Sequence, residues 1–271
     1  SKLCKLLVSM KKREPKRLLV LGDLHAGSWC GLTPPQWDGS EGTSKAAKSR
    51  YKFRRELWEW YRKTLKEIGA VDAALVNGDL VDGGGRRSGG SEVIIPTQEQ
   101  GEAAAYACGL IQTTDYYLTY GTGYHTGDEV DSEFFIAQRL GGSIEDRQFL
   151  RINGTVIRAV HHAGGSSIPH GVHTYPARVA VGNKLKALEG EEPEADILFF
   201  SHRHTFSYEG DANRFSMRLP CLQGPMSKFG RRCEGGYTMG MVLYEFDAEG
   251  NYSWHLHQAK LKGHKPSLRT I

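Results

Sequence analysis

Five short runs of metal-binding residue types recur along the chain in a fixed order: Gly22-Asp23-Leu24-His25, Gly78-Asp79-Leu80-Val81-Asp82, Gly121-Thr122-Gly123-Tyr124-His125, His161-His162 and His202-Arg203-His204. Carboxylate oxygens and imidazole nitrogens in this number suit a pair of divalent transition ions. Asp23 and His25 are two apart at a strand end, so both side chains leave on one side and can grip one ion. Taken alone, a strand-capping Asp beside a surface His explains that pair more simply. His202 and His204 repeat the spacing behind a buried strand, where imidazoles must find partners or ions. A carboxylate has two oxygens, so Asp79 can bridge two ions roughly 3.5–4 Å apart. Asp82 is then placed just outside, hydrogen-bonding a histidine and fixing its ring. Of the adjacent His161 and His162, one is expected to reach the same ion: His161 as ligand, with His162 toward substrate.

Each run follows an apolar stretch that reads as a strand, which puts the runs at strand C-terminal ends, where open α/β sheets build their sites. Arg17 to Leu21 is one such strand, followed by a Gly/Pro/Ser/Thr-rich segment, Gly31 to Lys48, that reads as a loop. Phe53, Leu57, Trp60 or Tyr61, Leu65 and Ile68 recur at helical spacing and predict a helix from about Lys52 to Ile68, closed by Gly69. With the strand Ala73 to Val76 it forms a βαβ unit. Further helices are expected over Thr97 to about Thr113, Ser132 to Leu140 and Ala177 to Leu188, and strands over Tyr116 to Tyr120 and Ile197 to Phe200. Asn153-Gly154 between two apolar runs predicts a type I′ hairpin. The remainder, Thr205 to Leu261, reads mostly as β-hairpins, with residues 207–261 completing a second sheet. Helices early and hairpins late give a two-layered β core with helices outside, in a single domain.

At 271 residues with 10% aromatic and 24% charged residues, the chain is long enough for a substantial core and is not disordered. A net charge of +4 permits phosphate-bearing partners without demanding them. The five cysteines are scattered, with no zinc-knuckle or CxxC spacing, as expected of reduced thiols in a cytoplasmic protein. No apolar run approaches a membrane span. Ser1 to Arg17 places its apolar patch before Lys11, Lys12 and Arg13, the reverse of a secretory signal.

Asp-x-His, Gly-Asp-x-x-Asp, a glycine-led motif with His, a later His and a final His-x-His together resemble the calcineurin-like metallophosphoesterase superfamily, over about Leu18 to Phe206. The resemblance implies a four-layer α/β/β/α sandwich with two mixed β-sheets and two metal ions at the strand C-terminal rim. It implies Asp23, His25, Asp79 and His204 as ligands of the first ion, and Asp79, a third-motif ligand, His161 and His202 as ligands of the second. The departure is the third motif. The family's Gly-Asn-His has no asparagine here, and Thr122 occupies its position. His125 either keeps the family's proton-donor role or turns in as a nitrogen ligand, and the former is the expectation. Ser201 stands where glycine is usual in the fifth motif.

Two divalent ions (Mn²⁺, Zn²⁺, Fe²⁺ or Ni²⁺) bridged by Asp79 lower the pKa of a shared water and hold phosphate oxygens for in-line displacement. His125 or His162 supplies the leaving group's proton. The implied activity is hydrolysis of phosphate esters, phosphodiesters above monoesters. Arg86 and Arg87, on a glycine-rich loop after the second motif, are candidates to grip a phosphate, though a solvated loop explains them more simply. Lys45, Lys48, Arg50, Lys52, Arg54 and Arg55, with Tyr51 and Phe53, either track a nucleic-acid backbone or form a helix's polar face, the latter favoured. Two alternatives stay open: a nuclease acting on single-stranded nucleic acid, and a non-catalytic interaction module. His173 is an outlying candidate for the pocket; His170, His255 and His257 read as surface or strand residues.

Overall fold

A computed structural model describes residues 13–39, 41–84, 91–126, 131–164, 171, 173–212, 214–227, 230 and 237–261. In chain order its elements are β1 (Lys16–Leu21), α1 (Lys45–Ile68), β2 (Ala73–Asn77), α2 (Thr97–Cys108), β3 (Tyr116–Thr119), the single turn α3 (Gly123–Thr126), α4 (Ser132–Leu140) and β4 (Ser143–Glu145). They continue with β5 (Gln148–Ile152), β6 (Thr155–Val160), α5 (Thr174–Leu188), β7 (Ile197–Phe200), β8 (Ser207–Asp211), β9 (Arg214–Arg218), β10 (Gly240–Phe246) and β11 (Tyr252–Gln258). The segment Ser1 to Lys12, with Arg86, Arg87 and His170, lies outside the described residues.

The strands form two sheets, ordered β11-β10-β1-β2-β3-β4 and β5-β6-β7-β9-β8. β1 to β4 run parallel, as do β6, β7 and β9, while β10, β11, β5 and β8 pair antiparallel, so both sheets are mixed. Strand alternation assigns the layers. Leu18 and Val20 of β1 enter a core shared with Ile157, Ile197, Phe199 and Met217 of the second sheet. Leu19 and Leu21 face the opposite way, against Leu57 and Tyr61 of α1 and Ala103 and Ala107 of α2. On the second sheet, Leu198 and Phe200 face Ala180 of α5. Three stacked cores define the four-layer α/β/β/α sandwich. They also explain the uninterrupted apolar strands, since a sheet covered on both faces has no polar side.

Three boundaries differ from expectation. α1 begins at Lys45 rather than near Lys52, because the Ser44 hydroxyl caps it by accepting from Ala47 N at 3.0 Å. Its first turns are polar and largely exposed, so they carry no apolar period. α2 ends at Cys108, where Gly109 takes over, well short of Thr113. The C-terminal hairpins do not all complete the second sheet: β8–β9 does, but β10–β11 joins the first, with β10 antiparallel to β1. Asn153 and Gly154 form the expected tight turn, with φ of 50° and 107°. No described helix is long and apolar enough to cross a membrane.

Candidate metal centre

The loops after β1, β2, β3, β6 and β7 converge at one rim of the sandwich and bring the five motifs together. Backbone hydrogen bonds hold the first two loops in register beyond their strands: Asp23 N donates to Gly78 O at 2.9 Å and His25 N to Asp79 O at 3.0 Å. Asn77, buried at the end of β2, stitches the sheets. Its amide donates to Ser201 Oγ at 2.7 Å and to the Val160 carbonyl at 3.2 Å, and it accepts from Thr119 Oγ1 at 2.8 Å. Ser201 therefore has a structural task at a position where the family resemblance expected glycine.

The backbone itself is held in an uncommon conformation. Asp23, His25, Asp79, His202 and His204 all have positive φ, between 46° and 70°, and the sole other described non-glycine with positive φ is Asn153 in its turn. Left-handed backbone costs non-glycine residues energy and gathers at functional sites, where surrounding structure enforces it. Glycine is needed beside it. Gly78 has φ of 74°, and a Cβ there would lie 2.5 Å from His161 Nδ1.

Three combinations of donor atoms lie within ion-binding reach of one another: Asp23, His25 and His204; His25, Asp79 and His125; and Asp79, His161 and His202. Asp79 Oδ2 stands 3.0 Å from His161 Nε2, 3.8 Å from His202 Nδ1, and 3.9 Å from both His25 Nε2 and His125 Nε2. Asp23 Oδ1 stands 3.2 Å from His204 Nε2 and 3.9 Å from His25 Nε2 and His161 Nε2. Asp23 and Asp79 are buried. Burial alone would raise both carboxyls, yet Asp23 is held below its ordinary value by His204 and His161, and Asp79 well below by His161, His202 and His25. His161 answers in kind: burial opposes its charge, but Asp79 and Asp23 raise it to about 9. The carboxylates thus require positive charge beside them.

Hydrogen bonds away from the cluster set which nitrogen faces inward. His161 Nδ1 donates to the Asn77 carbonyl and His125 Nδ1 to the Asp82 carbonyl, both at 2.8 Å. His25 Nδ1 donates to Asp82 Oδ1 at 3.2 Å, the contact expected of Asp82. Each bond commits Nδ1 as the outward donor and turns Nε2 toward the carboxylates, the nitrogen a metal would take once it carries no proton. Asp23 Oδ1 is buried and accepts no hydrogen bond. A buried anionic oxygen without a hydrogen-bond donor, ringed by imidazole nitrogens, fits a divalent cation.

Thr122 and His125 occupy different places. Thr122 Oγ1 lies 3.2 Å from Asp79 Oδ2, 3.1 Å from His202 Nδ1 and 3.5 Å from His161 Nε2, among the second ion's candidate ligands. Its backbone N–H also donates to Asp79 Oδ1 at 2.5 Å. His125 instead stands against His25, ring centroids 4.7 Å apart. Burial and His25 lower its pKa. His162 is exposed and enters none of the three combinations; its ring packs on His202 at 5.4 Å and Tyr175 at 5.7 Å. His173 pairs with Glu209 at 2.6 Å, and His255 and His257 lie on β11, all apart from the cluster. The basic-aromatic stretch of α1 is not a continuous charged face. Phe53 and Arg54 are buried, and Arg54 is tied to Asp38 and to the Trp29 carbonyl.

Several supporting residues carry no sequence signal. Glu133, buried in the first turn of α4, accepts from Gly121 N at 2.7 Å and Leu80 N at 3.3 Å; burial raises its carboxyl to about 7. Tyr237 OH sits 2.5 Å from His204 Nδ1 and donates to Gln223 Oε1 at 3.4 Å. The Gln223 amide then reaches Asp82 Oδ1 at 3.5 Å. Followed end to end, this chain links the outer nitrogens of His204 and His25. Neither Tyr237 nor Gln223 belongs to a recognisable spacing.

The fold and the rim thus define an α/β sandwich with a cluster of two carboxylates and five imidazoles suited to paired cations. No protein-family model and no curated protein sequence matches the chain. Solved structures similar to it include an archaeal phosphodiesterase at 10% identity, covering 89% of this chain and 99% of that one with a TM-score of 0.48. Vps29 from Entamoeba histolytica, complexed with zinc, is similar at 13% identity, 89% and 98% coverage and a TM-score of 0.39. A predicted phosphoesterase from Streptococcus pneumoniae is similar at 13% identity, 90% and 98% coverage and a TM-score of 0.35.

Proposed function

We propose that this chain is a calcineurin-like metallophosphoesterase that hydrolyses phosphate esters, phosphodiesters above monoesters, with two divalent cations. The observation that carries this reading is the Asp79 carboxylate, buried at the junction of two donor groups with imidazoles of His25, His125, His161 and His202 around it. Asp23, His25, Asp79 and His204 would hold one ion, and Asp79, His161 and His202 the other, with the Thr122 hydroxyl in the place the family gives to asparagine. When bound, such a pair lowers the pKa of water and neutralises charge on a phosphate under attack.

The protein's own groups do the rest. Asp82, Asn77 and Tyr237 hold three ligand histidines in one tautomer each. His125 stands with the first group rather than replacing the missing asparagine in the second, which favours its role as the proton donor to the leaving oxygen. Its Nδ1–H is committed to the Asp82 carbonyl, so in that role the protonated ring would give up the proton on Nε2 and return to the Nδ1–H tautomer.

Elemental analysis of the purified protein, with assays on an aryl phosphodiester and monoester over Mn²⁺, Zn²⁺, Fe²⁺ and Ni²⁺, tests the reading. Two ions and faster diester turnover are expected. Two ions without turnover on any ester would favour the second reading, a non-catalytic module, for which Thr122 in place of asparagine is the motivating observation. A nuclease would cut single strands with a steep fall in added salt, whereas small diesters respond little.

A further inference from the structure

A cleft of about 690 Å³ opens directly off the second cation group, with Thr122 and His161 in its wall. That volume is in the range of small-molecule sites. Two aromatic side chains line it, Tyr120 after β3 and Phe149 on β5, the latter with the Arg158 guanidinium 5.9 Å from its ring centroid. Its charge is lopsided. Glu145, Asp146, Glu191 and Glu192 line it against the single arginine Arg147. Arg147 is already committed to Glu192 at 2.9 Å, and Glu192 also takes Lys186 at 3.1 Å and Arg158 at 3.6 Å. Among the described residues no ion pair reaches Glu145, Asp146 or Glu191.

A phosphoryl group needs the cations, but whatever continues from it into this cleft meets carboxylates and a ring face. We infer that the cleft beside Thr122 and His161 binds an ammonium-bearing arm of a phosphodiester, with Glu145, Asp146 and Glu191 supplying charge and Tyr120 supplying ring surface. This rests on the phosphoesterase reading and narrows its substrate. It disfavours nucleic acid, whose neighbouring phosphate would enter a negatively charged cleft. The three carboxylates are exposed, so the preference weakens as salt shortens the screening length.

The test compares Mn²⁺-loaded protein on p-nitrophenyl phosphorylcholine and on its neutral isostere, p-nitrophenyl 3,3-dimethylbutyl phosphate. A ratio of kcat/KM of about tenfold in favour of the choline ester is expected, falling below about threefold in E145Q/D146N and, independently, in high salt. With metal-free protein, saturation-transfer NMR should detect choline but not 3,3-dimethylbutanol, and the double variant should lose the choline signal. E191Q, a single change on another loop, should reduce the ratio in the same direction. Equal rates on the two esters, or a ratio that survives E145Q/D146N, overturns the inference and leaves the phosphoesterase reading standing. Two bound ions with neither ester cleaved overturns both.

Discussion

Tyr237→Phe removes one oxygen and should weaken one ion while sparing the other. The hydroxyl sits 2.5 Å from His204 Nδ1, and His204 Nε2 faces Asp23 at 3.2 Å. Without that partner the ring is free to turn and to take the other tautomer, which withdraws Nε2 from the first group. Loss of such an outer partner lowers metal affinity about 10–100-fold, which is about 1.4–2.7 kcal/mol. The second group contains no residue bonded to Tyr237: His161 is fixed by the Asn77 carbonyl, and His202 faces Thr122. Calorimetric titration of metal-free protein with Mn²⁺ should therefore resolve two affinities in the parent and a selective fall of one in the variant. Gln223→Glu should disturb the same ion, because it places a second carboxylate beside Asp82. Equal weakening of both ions, or of neither, would refute the idea that the Tyr237–Gln223–Asp82 chain acts on the first group alone.

Asp79→Ala should strip most of the metal and abolish turnover, measured by elemental analysis and aryl diester assay, since four imidazoles face that one carboxylate. His125→Ala should keep two ions while slowing poor leaving groups far more than p-nitrophenolate; loss of an ion would show that His125 is a ligand. Gly78→Ala combines strain at φ of 74° with a Cβ 2.5 Å from His161 Nδ1, and should cost about 1–3 kcal/mol of folding stability in a denaturant titration, with loss of the second ion. The pH dependence has a definite sign. His161 is raised to about 9, so its contribution to metal-free stability is complete below its ordinary value of 6.5 and fades as pH rises through about 9. Asp79, held well below 3.8, contributes above that value and loses its contribution as pH falls through its lowered pKa. The metal-free melting temperature should drop from about pH 6.5 to about pH 9.5, while Mn²⁺ affinity rises over the same interval because the ligand form of His161 carries no proton on Nε2.

Which residue types sit at strand ends was legible in the chain alone, because an apolar run followed by glycine and a donor pair is a local pattern, spanning about ten residues. The α/β class was legible there too, since the periods of β1, α1 and β2 are set by what each must bury. The shape of the final assembly was decided only in three dimensions. The polar first turns of α1 are helical because Ser44 caps them, which no apolar period records. β10–β11 joins the first sheet because β1 offered an open edge, a pairing between residues more than two hundred positions apart. Strand pleat and loop geometry chose His161 over its neighbour His162, and separated Thr122 from His125 within one motif. Tyr237, Gln223 and Glu133 hold the cluster from outside with common residue types at no fixed spacing, so nothing local announces them. Asp23 meets His204 across 181 positions, and that contact exists only once both sheets have closed on their shared core.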